Sequence, residues 1–154
     1  IRESAAPVLQ KPAEANPDKL LRQRHRGSRL LVVDDDPLNQ EVARFLLEDA
    51  GLIIDTAADG LQALVMVRKT SFAAILMDMQ MPRLNGLDAT RQIRVLAGCR
   101  DVPILAMTAN AFAEDTARCF DAGMNDFIVK PIDPEMIFVT LLKWLENGEP
   151  AARR

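Results

Sequence analysis

Cysteine is scarce, with Cys99 and Cys119 alone in 154 residues. Their positions have no metal-ligand spacing and nothing like the density of a disulfide framework. Free thiols in a reducing compartment are the expectation. Long apolar runs are also missing. No stretch reaches the length needed to span a bilayer, and no apolar signal segment is visible. Excess positive charge is absent from most of the chain. The net charge is -3. Residues 1–29 hold seven Lys or Arg against three acids, so the remainder carries -7. An acidic body argues against nucleic acid as the main ligand. The chain opens on Ile1 instead of Met, as a fragment would.

Composition is otherwise that of a soluble domain, and the length suits one core with loose ends. Residues 1–28, with Pro7, Pro12 and Pro17 among Ala, Lys, Glu and Asn, read as a flexible basic linker. A short helix near Pro17 to Arg24 fits within it. His25, in Arg24-His25-Arg26-Gly27, reads as part of a solvated basic segment.

From Arg29 the pattern changes. Arg29 to Asp34 reads as a strand buried on both faces. Asp36-Pro37 opens a helix, and Val42, Phe45, Leu46 and Leu47 supply its apolar spacing up to Gly51. The alternation continues. Strands are expected at Leu52 to Ala57, Ala73 to Met77, Pro103 to Met107 and Asp126 to Val129. Helices are expected over residues 61–70, 87–96 and 111–122, and from Asp133-Pro134 to Asn147-Gly148, with a frayed tail over 148–154. Five βα units with strands this apolar specify an α/β fold, a parallel sheet covered on both faces.

Ligands of such sheets bind beyond the carboxyl ends of the strands. The first strand ends in Asp34-Asp35-Asp36, the third in Asp78, the fourth in Thr108 and the fifth in Lys130. A single one of these could be a turn, a cap or a surface lysine, and Asp36, directly before Pro37, reads as a cap. Together they describe an acidic oxygen site suited to Mg²⁺ or Mn²⁺, facing a lysine and a hydroxyl. A phosphoryl group is the ligand that such a site suits, and a carboxylate beside the metal can act as nucleophile.

The segments LLVVDDDPLNQ, ILMDMQMPRLNG, AMTANA and NDFIVKPID, in this order and spacing, resemble the receiver domains of two-component response regulators. More closely they resemble those fused to hybrid sensor histidine kinases. The resemblance covers residues 29–147. It implies a flavodoxin-like doubly wound five-stranded parallel sheet in 2-1-3-4-5 order with five helices. It implies Asp78 as phosphoacceptor, with Mg²⁺ held by Asp35 and Asp78, by Asp34 mainly through water, and by the backbone carbonyl of Gln80. Lys130 would pair with Asp78, and Thr108 would donate to the phosphoryl group beside the small Ala109. Gln80 and Asn110 occupy positions that tune the lifetime of the acyl phosphate. Phe127 matches a switch aromatic, although simple core packing would also explain it, and Lys130-Pro131 matches a cis peptide.

The resemblance further implies a histidine kinase domain or histidine phosphotransfer domain as partner, docking near Pro37, Leu38, Asn39 and Val42. No output module resembling a DNA-binding domain follows Gly148, and no part of the chain inserts in a membrane. A cytoplasmic location is expected, alone or as the cytoplasmic part of a membrane-anchored kinase. Two other readings remain open at this level. One is a binding module with a vestigial pocket. The other is a haloacid-dehalogenase-like phosphatase using Asp34 within the Asp34-x-Asp36 spacing, which leaves Asp78 without a role.

Overall fold

Five short apolar runs pair into one sheet. The strands are β1 (Arg29–Val33), β2 (Ile53–Ala57), β3 (Ala74–Asp78), β4 (Ile104–Thr108) and β5 (Asp126–Val129), all parallel in the order β2-β1-β3-β4-β5. The computed structural model describes residues 16–79, 81, 84–96, 98–109 and 113–153. Among them are six helices: α1 (Pro17–Arg24), α2 (Pro37–Asp49), α3 (Gly60–Lys69), α4 (Gly86–Arg94), α5 (Ala113–Ala122) and α6 (Pro134–Arg153). None is long and apolar enough to cross a membrane.

Every residue of β3 and β4 is buried. Successive strand side chains point to opposite faces, so a strand covered on both sides must be apolar throughout. Leu30, Val32, Leu76 and Leu105 build one core layer with Ala43 and Leu47 of α2 and Ile137, Leu141 and Leu145 of α6. Leu31, Val33, Ile75 and Ile104 build the other with residues of α3, α4 and α5. The helix starts follow turn chemistry. Asp36, Asp59 and Asn85 each accept a hydrogen bond from a first-turn backbone N–H. At the α4 end, the Arg94 guanidinium donates to the carbonyls of Gly123, Cys99 and Val102 and to Asn125 Oδ1, tying two loops together.

Three expectations need correction. The linker assigned to residues 1–28 is folded where the structure describes it. Leu21 of α1 is fully buried in the first core layer and His25 is 2% exposed, so this histidine is not solvated. Residues 1–15 of that segment lie outside the described residues. On α2 the buried positions are Ala43 and Leu47, while Val42 and Phe45 face outward. The small Ala43 permits close approach to the sheet, which the bulkier residues beside it would prevent. Finally, α6 continues to Arg153, beyond Asn147-Gly148. A glycine disfavours a helix interior by only about 1 kcal/mol and does not by itself end the helix.

Candidate phosphoacceptor cleft

Parallel strands deliver their last residues to one edge. Val33 lies opposite Met77, Asp78 opposite Met107, and Thr108 opposite Val129. The next residue of β1 is Asp34, which falls beside Asp78. The next of β5 is Lys130, whose N–H donates to the Thr108 carbonyl at 2.7 Å. The register therefore gathers Asp34, Asp78, Thr108 and Lys130 on one edge.

Carboxylate oxygens of Asp34, Asp35 and Asp78 lie within 4.8 Å of one another. Asp34 and Asp78 are buried, at 1% and 5% exposure, and Asp35 is exposed. Lys130 Nζ sits 3.2 Å from Asp34 Oδ2 and 3.2 Å from Asp78 Oδ2. The approach to Asp34 is an ion-pair contact without hydrogen-bond geometry. Burial pulls the Lys130 ammonium down, but the charges of Asp78 and Asp34 outweigh it and hold its pKa above the ordinary lysine value. Lys130 is therefore charged at neutral pH.

One ammonium cannot balance three carboxylates. Two like charges about 5 Å apart repel by about 3 kcal/mol at an effective dielectric near 20. A hard divalent cation is the natural complement, because Mg²⁺ takes carboxylate oxygens and retained water, whereas zinc favours nitrogen and sulfur. The donor set thus fits the ion that the sequence implies. Gln80, expected to lend a carbonyl to it, and Asn110 lie outside the described residues.

The surrounding loop holds these groups in place. Asp36 Oδ1 accepts from Leu38 N at 2.9 Å, so Asp36 is the cap of α2, as its place before Pro37 suggests. Its own N–H donates to Asp34 Oδ1 at 3.0 Å and orients that carboxylate. A cleft of about 250 Å³ opens above, lined by Asp35, Asn39, Asp78, Thr108, Ala109 and Lys130 among others. Pro37 and Leu38 lie on the exposed first turn of α2, with Val42 one turn further along. Phe127 is partly buried and packs against the second core layer. The Lys130–Pro131 peptide is cis.

Three contributors escape a sequence reading. Gln40 Nε2 donates to the Asp34 carbonyl at 2.6 Å and to the Ala57 carbonyl at 3.3 Å, bracing the β1 end. Gly86 reads as a turn residue in Asn85-Gly86, yet its role is close approach. A Cβ there would overlap the Asp78 carbonyl oxygen and lie 2.9 Å from Met79 Cα. Arg118 of α5 also lines the cleft and so brings a second cation to its wall. Nothing local in the sequence separates Arg118 or Gln40 from ordinary surface residues. The approach at Gly86 depends on the backbone of another element.

The chain is similar to known proteins. The family model described as response regulator receiver domain matches residues 30–142. Hybrid signal transduction histidine kinase L of Dictyostelium discoideum is 38% identical over 141 residues, which cover 88% of this chain and 8% of that protein. Sensor protein GacS of Pseudomonas syringae pv. syringae is 37% identical over 134 residues, covering 84% of this chain and 15% of that protein. The chain thus spans a small part of these relatives. Among solved structures, the receiver domain of sensor histidine kinase PA1611 from Pseudomonas aeruginosa is 40% identical with a TM-score of 0.74. The match covers 78% of this chain and 98% of that one, which carries a magnesium ion coordinated in its active site cleft. Chemotaxis protein CheY4 of Vibrio cholerae is 31% identical with a TM-score of 0.74, over 76% of this chain and 98% of that one.

Proposed function

The chain belongs to the response regulator receiver domain family, and we propose that its cleft accepts a phosphoryl group from a phosphohistidine onto Asp78. The observation that carries this reading is the grouping of Asp78 with Lys130 at 3.2 Å and with Asp34 and Asp35 within 4.8 Å.

In the transfer, an Asp78 carboxylate oxygen attacks phosphorus in line. The new P–O bond forms as the P–N bond breaks, and the imidazole nitrogen leaves with the electron pair. Lys130, held charged beside Asp78, follows the charge onto the phosphoryl oxygens. The Thr108 hydroxyl donates to the phosphoryl group once it is in place. Asp34, Asp35 and Asp78, with the Gln80 carbonyl, would hold Mg²⁺, or Mn²⁺ in its stead. The cation supplies charge neutralisation at the transferring oxygens. Inward movement of Thr108 and Phe127 would then favour a second surface state of α5, β5 and α6, one the free protein already samples.

The donor would be a histidine kinase domain or a histidine phosphotransfer domain docking on α2. Leu38, Val42 and Phe45 support this, being 69%, 42% and 73% exposed and spaced to share one outward face next to Pro37 and Asn39. A place in the cytoplasm, within a hybrid kinase or apart from one, accords with such a donor.

Incubation with a phosphohistidine donor and Mg²⁺, read as acid-labile phosphate by intact mass, tests the reading. The label should appear on the unaltered chain and vanish in Asp78→Asn. A label that survives Asp78→Asn but is lost in Asp34→Asn would point to the hydrolase chemistry instead. The absence of label under every condition would mark the pocket as vestigial.

A further inference from the structure

We propose that residues 16–28 form a strap belonging to the folded unit, which clamps the end of α2 to α6 on the side of the sheet away from the cleft. The segment precedes residue 30, where the family model begins.

The clamp has an apolar anchor and an ionic lock. Leu21, at 0% exposure, enters the core layer that contains Leu47 and Ala50 at the end of α2 and Leu145 of α6. Arg22 Nε donates to the Asp49 carbonyl at 3.0 Å, and its terminal nitrogen lies 3.4 Å from the Asp49 carboxylate. Two groups converge on the same α6 oxygen. Arg24 Nη1 is 2.6 Å from Glu146 Oε2, and His25 Nε2 is 3.5 Å from it. The backbone then turns through Gly27, at φ 85°, whose N–H donates to the Gly51 carbonyl at 2.8 Å. Gly51, at φ 92°, ends α2 directly beneath Arg22, since a Cβ there would lie 3.6 Å from Arg22 Cα. A solvated spacer would make none of these contacts, and it would not bury a leucine and a histidine whole.

Trypsin reports on the strap directly, because Lys19, Arg22, Arg24 and Arg26 all lie within it. Cleavage of the full chain at Arg22 would be followed by intact mass, with circular dichroism as a check on folding. A docked strap opens rarely, and cleavage tracks the open fraction. Leu21→Ala should speed cleavage at Arg22 at least about tenfold, since removal of a buried leucine side chain shifts the open fraction by more than that. Loss of folding throughout the chain in Leu21→Ala would equally place the strap in the folded unit. Arg24→Ala and Glu146→Gln should each speed it about two- to fivefold, and the double variant should be no faster than the faster single one. Gln23→Ala, at an exposed position of α1, should change nothing. Cleavage at Arg22 in the unaltered chain as fast as in a folded Leu21→Ala would overturn the proposal. So would independent, multiplying effects of Arg24→Ala and Glu146→Gln. Neither outcome depends on whether Asp78 is phosphorylated.

Discussion

Two charged clusters sit at opposite ends of the same sheet, and they are built on different principles. At the carboxyl edge, three carboxylates crowd within 4.8 Å and one ammonium reaches two of them. At the amino edge, charges meet opposite charges. Arg22 faces Asp49, Arg24 faces Glu146, and Arg29 Nη1 lies 3.0 Å from the Asp55 carboxylate. The second cluster is balanced, exposed and laid over an apolar anchor, so its ionic groups add little and the leucine adds much. The first sets three carboxylates against Lys130 and the Arg118 at the cleft wall and is partly buried, so it rewards a ligand that adds positive charge. Charge balance thus separates a cluster that holds the protein together from one that acts on a ligand.

The comparison breaks most sharply at Asp78. Asp78→Asn should abolish phosphate labelling without lowering the melting temperature, because it removes like-charge repulsion along with the nucleophile. A marked fall in melting temperature on this substitution would mean that the cleft also stabilises the fold. Leu21→Ala should do the reverse. It should lower stability by about 2–4 kcal/mol, read by chemical denaturation, and leave labelling of the folded fraction intact.

Mg²⁺ should distinguish the two ends next. At about ten times its dissociation constant it should stabilise the chain by about 1.4 kcal/mol. Thermal melts should show that gain persisting in Leu21→Ala and shrinking in Asp35→Asn. An equal gain in Asp35→Asn would move the cation away from the cleft.

The smallest effect belongs to the lock. The hydrogen bond from Arg24 holds the Glu146 carboxyl below the ordinary carboxylate value, against a smaller opposing effect of burial. Its contribution is therefore fully present above that ordinary value and is lost as pH falls through the depressed one. Both partners are substantially exposed, so Glu146→Gln should cost less than about 1 kcal/mol at neutral pH. Denaturation as a function of pH should show the variant and the parent converging on the acid side.

Much of the cleft is legible from order alone. Four apolar runs end in Asp34, Asp78, Thr108 and Lys130, and parallel strands must carry their ends to one edge, so the gathering follows once the strands are recognised. The cap at Asp36 is equally local. The face of α2 is less legible, because Val42 and Phe45 outweigh Ala43 in hydrophobicity. Fit to the sheet, which favours the smaller residue, decides the rotation of the helix. The strap is the hardest to read. Leu21 follows Leu20 in a short segment otherwise made of Asp, Lys, Arg and Gln, and its partners Leu47 and Leu145 are remote in the chain.

Sequence alone therefore settled the strands, the turns and the chemical types at each strand end, since these rest on periodicity and on contacts within a few residues. Tertiary structure decided the 3.2 Å approach of Lys130 to two carboxylates, the outward stripe of α2, the space that only Gly86 can leave beside Asp78, and the docking of Leu21. Each of these joins segments far apart in the chain, and their energies depend on distance and fit that no local pattern encodes.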